Sequence, residues 1–216
     1  MPWTTPETFT AGQTLTAASM NIVSGNARMG RPVYTNEAAR DAAITSPEEG
    51  MIAYLTAPTV PAATGATTVV PTGITTIYNG SAWVCVTPVG AGNNASGTTT
   101  SNTFTASLSG TPGTNLSVTL VTGTTAMVVI QGALANSSDG QGAYIGAAVS
   151  GATTLAASVA DCLYNGGPAS RYVQSSAVLI FSGLTAGTNT FTLNYRVGNT
   201  GTGDFVYRRL YVQGIA

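Results

Sequence analysis

From residue 102 onward the chain alternates apolar and polar positions. Phe104, Ala106 and Leu108 are separated by Thr and Ser, and Leu116, Val118 and Leu120 repeat the pattern. A period of two marks a half-buried strand. "TAMVVIQGALA" is a longer apolar run that reads as a buried strand. "NSSDGQG", around Asp139-Gly140, reads as a hairpin turn, answered by "AYIGAAVSG". "YVQSSAVLIFSGL", "NTFTLNYRVGN", the turn "TGTG" and "DFVYRRLYVQGI" complete the series. That makes about eight strands at sandwich or jelly-roll spacing.

The upstream pattern differs. In residues 1–30, Thr16 sits where a helix cap would, and Met20, Val23 and Ala27 follow at helical spacing. The segment also holds Trp3, Phe9, Leu15 and Ile22. It has too little apolar surface to fold alone, so we expect it to be ordered only on a partner. Next, Asn36 can cap a helix over "EAARDAAI", ended by Ser46-Pro47. "MIAYL" reads as a strand. "ITTIYNGSAWVCV" reads as a hairpin turning near Asn79-Gly80. A Pro- and Thr-rich excursion, 56–73, separates the two. Residues 31–88 therefore predict a small α/β module of one helix and about three short strands. "VGAGNNASGTTTS", 89–101, shows no periodicity and reads as a linker. The fold expectation is mainly β: a small N-terminal α/β module, then an antiparallel jelly-roll sandwich over 102–216.

Charge changes the picture. The chain has 7 basic and 8 acidic residues, no histidine, and a net charge of -1. Charged residues make up 7%, far below the usual ~25%. So little charge disperses a monomer weakly, and much of the surface is expected to be covered by other copies or other proteins. The arginines are scattered apart from Arg208-Arg209, which argues against nucleic acid. No stretch reaches membrane-spanning length, and "MPWTTPETFT" does not read as a signal peptide. Cys85 and Cys162 are expected to be free thiols. Arg31, Glu37, Arg40, Asp41, Glu48 and Glu49 crowd into the module, where they would give its helix a wet outer face.

Without histidine there is no Ser-His-Asp or Cys-His arrangement. Metal-ligand spacing is missing, so neither metal nor cofactor is expected. Asp139, Asp161 and Asp204 lie in turn-rich contexts and read as turn formers rather than as a glycosidase pair. The chain is expected not to be an enzyme.

Two features remain as candidate interaction sites. Strict alternation puts Phe205, Tyr207, Arg209 and Tyr211 on one face of the last strand, and Val206, Arg208, Leu210 and Val212 on the other. Both faces are largely apolar, which predicts one in the core and one against a neighbouring copy. The stretches 136–144 and 160–172 are Gly-rich loops holding Asp139, Gln141, Tyr144, Tyr164, Asn165, Arg171 and Tyr172. Aromatic faces with planar polar groups suit a glycan, and loops carry function more often than strands.

Three stretches resemble virion proteins of tailed bacteriophages. "TPETFTAGQTLTAASMN" is similar to the N-terminal segment of many phage tail and fibre proteins. "RPVYTNEAARDAAITSPEEGMIAYL", with "IYNGSAWV", resembles a short module that recurs in phage fibre and minor tail proteins. "GLTAGTNTFTLNYRV" with "FVYRRLYVQGI" resembles the closing strands of phage jelly rolls of the tumour-necrosis-factor-like trimer type. The resemblance implies a homotrimeric virion protein, assembled in the bacterial host cytoplasm and exposed on the particle. Trp3, Phe9, Leu15, Met20 and Val23 would anchor it to other virion proteins of tail or capsid. The jelly roll of a short fibre or spike would meet a host-surface glycan. A head-decoration protein without receptor binding is the alternative.

Overall fold

The computed structural model describes residues 31–216. The expected anchor residues Trp3, Phe9, Leu15, Met20 and Val23 lie outside the described residues. The helix α1 (Glu37–Ala43) begins where the sequence places it: Asn36 has extended backbone and its side chain accepts from Ala39 N at 3.0 Å. Around α1 runs a small sheet of β1 (Val33–Tyr34), β2 (Ile52–Leu55), β5 (Ile74–Tyr78) and β6 (Trp83–Cys85), in the order β1-β2-β5-β6. The β5–β6 hairpin turns at Asn79-Gly80, with Asn79 Oδ1 accepting from Ser81 N and Ala82 N.

The module's charge does more than wet its surface. Arg40 is buried, its guanidinium 4.7 Å from the Trp83 ring centroid, and it pairs with Asp41 at 2.8 Å. Arg31 stands 4.2 Å over the Tyr54 ring. Cation–π contacts and aliphatic stems extend a core too small to be built from hydrocarbon alone.

The excursion 56–73 does not stay in the module. It contributes β3 (Ala62–Thr64), which pairs with β9 (Ser117–Thr122), and β4 (Thr67–Val69), which pairs with β7 (Val89–Asn93). It thus adds one edge strand to each sheet of the sandwich.

The segment expected to be a linker is also a strand. All five residues of β7 are buried, and β8 (Gly97–Thr99) continues its path beside β15 (Gly203–Ile215). With β10 (Thr125–Asn136), β11 (Ala143–Gly151), β12 (Cys162–Asn165), β13 (Val173–Ser182) and β14 (Gly187–Val197), two sheets form. One runs β13-β10-β15-β7-β4 and the other β12-β11-β14-β9-β3. In chain order β7 and β9–β15 shuttle between the sheets, and this connectivity is a jelly roll. Two strand readings need correction. Residues 104–108, expected to open the domain, form only a single isolated bridge, Thr105 to Tyr195. The "NSSDGQG" turn is not a hairpin: β10 is already paired on both edges, by β13 and β15, so β11 must cross to the second sheet.

Between the sheets lie Val128, Ile130, Leu134, Ile145, Phe191, Leu193, Tyr195 and Leu210, all fully buried. Within β15 strict alternation breaks. Gln131 pairs with Arg209 and Ala133 with Val206, leaving Tyr207 and Arg208 opposite Gly132. This is a β-bulge, with Tyr207 at φ 52. Phe205 therefore faces the core with Arg208, Leu210 and Val212, not the outer face with Arg209 and Tyr211.

Candidate functional site

Two surfaces are built with more care than solubility requires. The first is the outer face of the sheet β13-β10-β15-β7-β4. Its register places Val178, Val129, Tyr211, Gly90 and Val69 in one row across all five strands. Ile180 and Met127 stand beside them with Gln213. Val178 is 64% exposed, Ile180 56% and Val69 53%. One row in the other direction is polar: Ser176, Gln131, Arg209, Gly92 and Thr67. Arg209 lies down over Gly92, and its Nη2 donates to Asn94 Oδ1 at 2.7 Å. The face is thus apolar at the end nearer the module and polar toward the opposite end.

That opposite, distal end gathers the connections 137–142, 166–172 and 198–202, together with β8. The two loops singled out in the sequence meet there. Ala169 N donates to Asp139 Oδ1 at 3.3 Å and Ser170 N to Asn136 O at 2.7 Å. Gln141 Oε1 accepts from Asn199 N. Asn165 is buried, and its amide is committed to Leu134 O, Arg171 O and Gly167 N. It holds the loop and has no free edge for a ligand. Arg171 is exposed.

Tyr144 and Tyr164, paired across β11 and β12, stack with centroids 4.7 Å apart. They lie over Gly142, where a Cβ would come within 2.5 Å of Tyr164. Arg196, on β14, continues the row 5.2 Å from the Tyr144 ring and 5.8 Å from Phe104. Arg196 was missed because no local motif marks it. Only the pairing of β11 with β14 brings it beside the tyrosines.

Tyr172 goes elsewhere. Its hydroxyl donates to Asp204 Oδ2, and Ser96 Oγ donates to Asp204 Oδ1. Burial, then the hydrogen bond and charge of Asp204, push the Tyr172 phenol up to about 12. A pocket of about 170 Å³ opens here, lined by Thr98, Asn136, Ser170, Tyr172, Thr202 and Asp204 among others. Asp204, read in the sequence as a turn former, is likewise a site residue that no local motif marks. It lies on β15, opposite Thr98 and Ala135.

Cys85 is buried and Cys162 half-buried, both free. Burial pushes the Cys85 thiol up to about 11. Among the described residues no three His, Cys, Asp or Glu side chains converge as a metal site.

No family model and no curated protein matches the chain. Solved structures similar to it include the tumour necrosis factor Eiger of S. frugiperda, at 9% identity and TM-score 0.38, covering 56% of this chain and 85% of that one. A second is the C-terminal carbohydrate-binding module of a marine laminarinase from Zobellia galactanivorans, at 13% identity and TM-score 0.23, covering 54% and 98%. A third is infectious bursal disease virus, Gx strain, at 13% identity and TM-score 0.29, covering 68% and 48%. The jelly roll itself rests on the strand order.

Proposed function

We propose that the protein is a structural component of a tailed-phage virion, a short homotrimeric fibre or spike. Its N-terminal segment attaches to other virion proteins and its distal loops meet the host surface. The observation that carries the self-association is the row Val178, Val129, Tyr211 and Val69. An apolar strip across a whole sheet, exposed at Val178 and Val69 and half-buried at Val129 and Tyr211, in a chain with a net charge of -1, is what other copies would cover. Tyr211 and Arg209 belong to that face, whereas Phe205 does not. Because the strip lies toward the module, trimer contacts there leave the loop end open.

The test is the mass of the purified chain in solution by light scattering. A trimer is expected, and Val178→Glu with Ile180→Glu should yield a folded monomer, since like charges would be buried at each contact. A wild-type monomer at micromolar concentration, or a double variant still trimeric, would overturn the reading. Adsorption of the purified trimer to host envelopes tests the outward role of the loops. Failure to adsorb would favour head decoration.

A further inference from the structure

The distal pocket has a chemistry narrower than that of the surrounding loops. Its volume of about 170 Å³ is far above the roughly 10–15 Å³ that a single water needs, and leaves room for a ligand of the size of a sugar ring. The lining offers one carboxylate, Asp204, the hydroxyls of Thr98, Ser137, Ser170 and Thr202, and one aromatic wall, Tyr172, with no cationic side chain. Ser96 and Tyr172 each donate to a different oxygen of Asp204. A carboxylate has about four acceptor positions, so each oxygen keeps one for a further donor. Two neighbouring acceptors on one rigid group match two adjacent hydroxyls.

The pocket is also prearranged. Ser137 N donates to Thr202 O at 2.9 Å and Thr202 N to Ser137 Oγ at 2.8 Å, while Asn136 Nδ2 reaches Gly142 O and Thr200 O. Ser170 is held at φ 56, a conformation that persists in a non-glycine residue when its surroundings impose it. From Val178 in the apolar row to Tyr172 is six residues along the chain, roughly 20 Å at about 3.3 Å per residue. Self-association over the apolar half leaves the pocket accessible.

We infer that this pocket binds a single neutral sugar ring, with Asp204 accepting from two adjacent hydroxyls and Tyr172 forming the apolar wall. The carboxylate, in a lining that holds no cationic side chain, selects against sialic acids and phosphorylated sugars. The inference rests on the reading of the distal end as the receptor-facing end, and it names the ligand class.

Saturation-transfer NMR on the full chain tests it, with methyl α-glucopyranoside and methyl β-galactopyranoside as neutral probes and N-acetylneuraminic acid as the anionic one. Transfer to at least one neutral glycoside at millimolar concentration is expected, and none to the anionic sugar. Asp204→Asn should weaken binding about tenfold, as loss of a charged acceptor does. Should that variant fail to fold, Thr98→Val with Thr202→Val keeps the carboxylate and must also reduce the signal. No transfer to either neutral glycoside, equal binding by a folded Asp204→Asn, or equal binding of the anionic sugar would overturn the site. Sugar binding by a protein that light scattering shows to be a monomer would leave the site standing and remove the assembly reading. A trimer without sugar binding would do the reverse.

Discussion

The ring of Tyr211 lies directly on Gly90, its register partner in the neighbouring strand, and fills the space where a side chain at position 90 would stand. Two positions along, Arg209 does the same to Gly92, where a Cβ would come within 2.8 Å of Arg209 Cδ. The glycines lend no side chain to the outer face, and β15 covers them. Gly90→Ala should therefore cost about 1–3 kcal/mol through overpacking, read by urea unfolding. Tyr211→Ala in the same chain should recover part of that loss, because the two changes share one space. Strictly additive losses would show that the ring moves aside freely.

The same pair explains what could be read from the sequence and what could not. The strands from Leu116 to Val197, apart from β12, announce themselves because each side chain contributes its own apolar or polar signal to the period. β7 is "VGAGN", and half of its periodic signal is carried by Tyr211 and Arg209, more than a hundred residues away. A strand covered by its partner's side chains looks like a linker. The bulge at Tyr207 was hidden for a related reason. One inserted residue reverses the facing of everything before it, and nothing in "DFVYRRL" marks where it falls. The stretches 136–144 and 160–172 read as loops from composition, yet Ala143 and Tyr144 belong to β11 and Cys162–Asn165 form β12; Asp204, which meets Tyr172 at this end, carried no signal.

Tyr207 sits in the bulge at φ 52 and is 49% exposed. A left-handed conformation strains a bulky residue, and strain of this kind is worth about 1–3 kcal/mol. Tyr207→Gly should keep or raise the unfolding free energy of the isolated subunit, whereas β-branched Tyr207→Val should lower it by about that amount. Denaturant unfolding of both variants checks the order. A Val variant as stable as the Gly variant would mean that the backbone relaxes out of the bulge.

Arg208 is 1% exposed, and no carboxylate pairs with it among the described residues. Its guanidinium instead donates to Tyr195 Oη at 3.2 Å, to Ala95 O at 3.1 Å and to Pro112 O. One planar fork thus ties β15 to β14, to the connection between β7 and β8, and to the stretch between β8 and β9. Lysine has a single point of donation and cannot span those acceptors. Arg208→Lys should cost about 2–4 kcal/mol, as buried acceptors lose their partners at about 1–3 kcal/mol each. Hydrogen exchange should quicken at residues 95–97 before it does in β11. Uniform quickening across both sheets would mean that the residue serves the whole core and not this join.

Glu37 accepts from Thr59 N at 3.0 Å, Thr59 Oγ1 at 2.9 Å and Val60 N at 3.1 Å. It thereby clasps the start of the excursion whose β3 and β4 complete the two sheets. Burial alone would raise its carboxyl, but the hydrogen bonds from Thr59, Val60 and its own backbone N–H outweigh it, and the group lies below its ordinary 4.5. A depressed carboxyl binds its proton less readily folded than unfolded. Its contribution is therefore present above about pH 4.5 and is lost as the pH falls through the folded value. Glu37→Gln should lower stability near neutral pH by less than about 1 kcal/mol, because the carboxylate stays largely solvated. The gap to wild type should close on acidification. Thermal midpoints from pH 7 down to 3 measure both statements, and a gap that stays constant or widens in acid would refute the clasp.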